Sequence, residues 1–211
     1  MDKGVEAVRK VFAYPGAPAG LELQPGDAVL RRNHFRVTKR MTYVSAGVRL
    51  FTACPLNHTA IVSINERGQW VLNEAKWEGI ISRPIEEALY EEHTEIVVLR
   101  DPRQVDLERI IARANAKVGT PYDLANLTIE QIHYRTGLGL CNAVKWASRG
   151  RLQPQPSWIG FTGEAAARRL QCAEYWAWVW ERQNWWLYSS AEIWNDGMLH
   201  TVFNELKNKP R

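Results

Sequence analysis

The chain has 211 residues, of which 45% are apolar and 24% charged, a mix that excludes a disordered polymer and a coiled coil. A formal charge of +4 is mild and lacks the basic stripe with interleaved aromatics that nucleic acid needs, and no run of about 18 apolar residues is present to span a membrane as a helix. Three cysteines, Cys54, Cys141 and Cys172, are an odd number, so a disulfide framework is not expected and at least one thiol is free.

Residues 1–22 read as a short amphipathic start and a Pro/Gly-rich segment, without an apolar signal core. The protein is therefore expected in the cytoplasm, or at the cell wall by a non-Sec route or on a particle. Pro25-Gly26-Asp27 marks a turn, with Asp27 a turn residue rather than an acid catalyst, and Ala28-Val29-Leu30 begins a strand. The basic stretch 31–40 reads as a solvated loop or strand edge. Thr59–Ile64 is a buried strand, Asn65–Gly68 a hairpin turn, and Gln69–Ala75 the return strand. A short helix is expected near Glu86–Leu89, and Glu95–Leu99 is a further core strand. Leu107, Ile110, Ile111, Ala114 and Val118 recur at helical spacing, which predicts a helix over about 104–118 with that face buried. Gly119 at the C′ position and Pro121 stop it. Residues 123–150 carry an interrupted helical pattern, and a helix is expected from Cys172 to about Gln183. Strands first and helices after argue an α+β fold.

Several chemistries lack their signatures. There is no His-Glu-x-x-His, Cys-x-x-Cys, phosphate-binding Gly-rich loop or Gly-x-Ser-x-Gly elbow, and the histidines and cysteines do not cluster at metal spacing. Neither a cofactor nor a metal is expected. Thiol chemistry remains, with a free Cys and a His from elsewhere as nucleophile and base. Cys172 suits the first part if a helix starts there, because the helix dipole favours the thiolate. That requires a chain break between Arg169 and Cys172, against the helical pattern of Ala165–Leu170. His58 sits at the mouth of a strand, and Glu74 lies at the same end of the paired return strand, placed to orient an imidazole. Cys141 is the rival nucleophile, and Cys54 reads as packing.

Six segments in this order carry a resemblance: Leu23–Leu30, Asn57–Val62, Val71–Ala75, Val97–Arg100, Val118–Asp123 and Cys172–Glu174. Together they resemble the circularly permuted NlpC-type papain-fold cysteine hydrolases, the YiiX-like group, related in layout to lecithin retinol acyltransferase. The resemblance implies a small antiparallel sheet or half-barrel packed against helices, with the nucleophile helix after the sheet. It implies Cys172 as nucleophile, His58 as base and Glu74 as third member, with Tyr122 lining the site. Trp176, one turn on from Cys172, is a second substrate-binding candidate and also a core residue. The sequence departs from the family in having Ala173 after the Cys, and in a longer connection from Asp123 to Cys172.

The domain organisation read from this is an N-terminal segment (1–22), a catalytic domain (23–183) with a helical insertion at about 124–165, and a Trp-containing extension (184–211). The implied function is an amidase or endopeptidase acting on a peptide or peptidoglycan-fragment substrate. The alternatives are a thiol acyltransferase or lipid esterase at a membrane surface, and a non-enzymatic part of a larger assembly. In both, the Trp-rich C-terminal region makes the membrane or protein contact.

Overall fold

Apolar and β-branched runs pair edge to edge into a single sheet whose inner strands are buried on both faces, in a computed structural model that describes residues 21–33, 56–89, 94–103, 106–123, 149, 151, 168–183 and 190–204. The strands are β1 (Ala28–Asn33), β2 (His58–Ile64), β3 (Trp70–Lys76), β4 (Gly79–Pro84), β5 (Thr94–Arg100) and β6 (His200–Asn204). Their order is β4-β3-β2-β1-β5-β6, with every pair antiparallel. Four described helices accompany them: α1 (Ile85–Leu89), α2 (Leu107–Ala116), α3 (Cys172–Val179) and α4 (Ser190–Trp194). The α+β expectation holds, and the sheet is open.

Alternation splits the sheet into two apolar faces. One face carries Leu30, Ile61, Ala75, Val97 and Leu99, and packs against Ile110 of α2, the inner side of α3 and Ile193 of α4. The other carries Val29, Ala60, Val62, Leu72 and Val98, and packs against α1 with Leu21 and Leu23.

The four strands, the short helix and the long helix expected around these positions are all present. Two strands have no counterpart in the sequence reading. β4 follows a two-residue turn, Trp77-Glu78, that lacks the usual Asn-Gly or Asp-Gly signal, and β4 ends in a proline. β6 comes after the helices and completes the sheet edge beside β5. Residues 190–204 of the C-terminal extension therefore add a helix and a strand to the same core.

Two details of α2 also differ from expectation. It ends at Ala116 with Lys117 as cap, and Gly119 takes its positive φ two residues further on. Val118 is consequently off the helix and 42% exposed. Arg31 is the larger correction. It lies on β1 and is 1% exposed, not part of a solvated loop. Residues 34–40 of that basic stretch, the insertion at about 124–165 apart from residues 149 and 151, Cys54, Cys141, Trp185 and Trp186 lie outside the described residues.

The turn before β1 is the mount for α3. Trp176 and Trp180, one turn apart, both donate their indole N–H to the Gly26 carbonyl, at 3.3 and 2.9 Å. Gly26 has φ +91°, and a Cβ there would lie 2.7 Å from Trp180 Cζ2. Asp27 fixes the same turn. It accepts from the Gln24 N–H at 2.7 Å and forms a two-pronged pair with Arg100 at 2.8 Å, so its reading as a turn residue stands. The Gly26→Ala variant should therefore lose on the order of 1–3 kcal/mol, from backbone strain and overpacking together. Urea denaturation measures it, and a loss below about 0.5 kcal/mol would contradict this account of the turn.

Candidate active site

Glutamine is an uncommon helix N-cap, yet Gln171 takes that place at the head of α3. Its backbone is extended (φ −88°, ψ 171°), and its side-chain oxygen accepts from the Ala173 N–H at 3.3 Å. In return Glu174 accepts from the Gln171 N–H at 3.0 Å, closing a capping box. The break expected between Arg169 and Cys172 is thus present, and Cys172 is the first residue of the helix. The thiol is buried, and in its protonated form it donates to the Gln171 side-chain oxygen at 3.6 Å.

His58 opens β2 and stands close enough to Cys172 for each to shift the other's protonation. Its Nε2 lies 2.9 Å from Glu74 Oε2. With Nε2–H donating to the carboxylate, Nδ1 is the ring nitrogen left to face the sulfur. By register Glu74 stands opposite Ala60 and Arg31 opposite His58, so these side chains belong to the face covered by α1. Cys172 belongs to α3 on the other face. Among the described residues the two halves come together at the first residue of β2, where His58 is bonded to Glu74 and coupled electrostatically to Cys172.

Glu74 has no exposed surface. Its Oε2 accepts from Arg31 at 2.8 Å as well as from His58, while its Oε1 accepts from Arg83 at 3.0 Å and lies 3.4 Å from Lys76 Nζ. Arg31 also donates to the Ala88 carbonyl of α1.

These contacts set the protonation states. Burial opposes the charged form of His58, but the hydrogen bonds and charges of Cys172 and Glu74 outweigh it and lift its pKa to about 9. Burial would raise Glu74, but the His58 hydrogen bond and the Arg31 and Lys76 charges hold it well below the usual carboxylate range. Burial likewise opposes a Cys172 thiolate. The hydrogen bond and charge of His58, with the backbone N–H groups of Thr59 and Ala173, win and bring the thiol below its ordinary value. The arrangement favours a thiolate–imidazolium pair.

Tyr122 arrives from the other side. Gly79 approaches the Thr120 carbonyl so closely that a Cβ would lie 2.6 Å away, and Leu170 bridges Tyr122. This strap brings Tyr122 close enough for the Cys172 charge to raise its phenol, though burial is the larger cause. Trp176 is placed differently from the substrate-contact expectation. It is 0% exposed with its N–H committed to Gly26, so it is core behind the thiol. Trp178 and Trp194 also do not form a free aromatic surface. Trp178 stacks under Arg113 and Lys117, 4.1 and 4.6 Å from its ring centre, and Trp194 packs on the core.

Arg31 and Lys76 are the members that sequence reading passed over, while Arg83 was a candidate partner for Glu74 and is one. The signal available for Arg31 was its place on a strand, one residue past the apolar run 28–30, where alternation turns it inward.

No family model and no curated protein matches the chain. Four solved chains match it. One is the crystal structure of the metalloprotein yiiX from Escherichia coli O157:H7, at 14% identity and a TM-score of 0.47, covering 86% of this chain and 97% of that one.

The pair of pKa shifts gives a pH expectation. A depressed carboxylate contributes stability above its unfolded value of 4.5, and that contribution is lost as pH falls. Glu74→Gln should flatten the acid limb of the stability profile below pH 4.5 and lower the His58 midpoint from about 9. A thermal-melt series against pH, with a histidine NMR titration, measures both. An unmoved His58 midpoint would remove Glu74 from the pair.

Proposed function

We propose that the chain is a cysteine hydrolase of the circularly permuted papain-like type, cleaving an amide through Cys172, His58 and Glu74. The observation that carries this is the 2.9 Å His58–Glu74 hydrogen bond beside a thiol whose acidity His58 raises, with that thiol on the first residue of a capped helix. Buried cysteines are commonly inert packing. This one has a base beside it, a carboxylate behind the base and two backbone N–H groups lowering its pKa.

The chemistry follows from those roles. His58 takes the Sγ proton, and the imidazolium is held by Glu74. The thiolate attacks the amide carbonyl, and a tetrahedral oxyanion forms. The Cys172 backbone N–H, which as the first in its helix has no intrahelical acceptor, is the donor for that oxyanion. His58 then gives its proton to the departing amine. Water, deprotonated by the same imidazole, releases the acyl group and restores the thiol. Glu74 keeps one ring orientation through both proton transfers and stays ionised.

The substrate in this reading is a peptidoglycan stem peptide or a related small peptide amide, as the resemblance of the six segments implies. The experiment is purified protein on cell-wall fragments, with product release followed by chromatography. Cys172→Ser should lower cleavage at least about 1,000-fold and His58→Gln by a similar factor. Glu74→Gln should cost roughly 10- to 100-fold, because the ring loses its orienter but not its proton chemistry. Undiminished cleavage by Cys172→Ser would overturn the assignment.

A further inference from the structure

Arg31 is the one fully buried cation in the described part of the cluster around Glu74. Its neighbour Arg32 shows how specific that placement is. Arg32 points the other way, is 36% exposed and pairs with Glu95. Arg31 instead turns under α1, opposite His58 in the β1–β2 register. One of its nitrogens donates to Glu74 Oε2 and another to the Ala88 carbonyl. The oxygen it holds is the same oxygen that accepts from His58. Arg83 and Lys76 approach the other oxygen.

This arrangement puts two demands on one carboxylate. Arg83 and Lys76 draw Oε1 towards β4 and the end of β3. Arg31 fixes Oε2 towards β1 and β2, where the imidazole stands. An arginine fork is suited to this because its two ends are rigidly spaced, so the Ala88 carbonyl locates the end that meets Glu74. We propose that Arg31 is a positioning residue, which clamps Glu74 Oε2 onto His58 and so sustains the thiolate–imidazolium pair of the hydrolase reading on which it rests. Without the clamp the carboxylate turns wholly to Arg83 and Lys76, and the imidazole loses its acceptor.

The sign of one titration separates this from other roles for a buried arginine. The charged and titratable groups around His58 are Arg31 from β1, Glu74 and Lys76 from β3, Arg83 from β4, Cys172 from α3 and Tyr122 from its strap. If Arg31 acted only as a nearby charge, deleting it would relieve repulsion and raise the His58 midpoint. If it were only a structural buttress, stability would fall and the midpoint would stay. A clamp predicts a fall.

The test is an NMR titration of labelled histidine in the full chain, with His58 assigned from a His58→Gln variant, beside the pH profile of iodoacetamide alkylation at Cys172. Arg31→Met should lower the His58 midpoint from about 9 by one unit or more. The rising limb of the alkylation profile should move to higher pH, because a less firmly held imidazolium supports the Cys172 thiolate less. In a Glu74→Gln background Arg31→Met should add nothing further. Arg31→Lys keeps the charge but cannot reach both acceptors, so it should shift the midpoint in the same direction by less, and it decides the matter should Arg31→Met fail to fold. A raised or unmoved midpoint, an Arg31→Lys that titrates as wild type, or an added loss in the Glu74→Gln background would each overturn the clamp. Neither readout needs turnover. A wild-type Cys172 that reacts as an ordinary thiol would sink the hydrolase reading, while the His58 titration would still decide the role of Arg31.

Discussion

The ionised carboxylate of Glu74, with no exposed surface, is the constraint around which this structure is arranged. A buried charge stripped of water is costly, and removing one partner of such a group typically costs on the order of 3–5 kcal/mol. Here the partners come from β1, β2, β3 and β4, so four adjacent strands must be in register for the charge to be satisfied. A one-residue slip of β3 would turn Glu74 to the opposite face and strand three cations. The same contacts that specify the register also hold the imidazole in place. Fold specificity and candidate chemistry are therefore one network.

The second fixed point is the Gly26 carbonyl. Two indoles of α3 converge on it, and Arg100 braces the turn through Asp27. The far end of α3 is anchored again through Arg182, which reaches Asp101 at 2.8 Å and Asp196 at 3.2 Å. A helix pinned along its length places its first residue reproducibly, which a thiol that must meet an imidazole from another layer requires. Trp176, Trp178 and Trp180 serve this anchoring, whereas Trp77, at the β3–β4 turn, is 58% exposed.

The separation of the site between two faces of the sheet gives His58 its particular position. A residue in the middle of β2 would see one face only. The first residue of a strand has no strand neighbour before it, and its side chain reaches partners from both layers. The helix that precedes β6 also contributes to this end. Ser190 of α4 lies 3.0 Å from the Thr59 hydroxyl, and the Thr59 N–H is one of the groups that favour the thiolate.

The sequence alone carried the elements whose cause is local. Alternation marked β1, β2, β3 and β5, spacing marked α2, and the order of Cys172, His58 and Glu74 along the chain marked the three residues that the fold brings together. Even the start of α3 at Cys172 was legible, because Gln171 and Glu174 form a local box. What the tertiary structure decided has a non-local cause. β4 and β6 exist because neighbours supply their hydrogen bonds, so their own turn chemistry and patterning are weak. Of the two readings of Trp176, core and substrate contact, packing and the bond to the Gly26 carbonyl selected core. Arg31 looked like one charge in a solvated run, and only the pairing of β1 with β2, and of β2 with β3, brings Glu74 to it. A charge in sequence carries no partner, and whether it is solvated or buried is settled by what the chain folds against it.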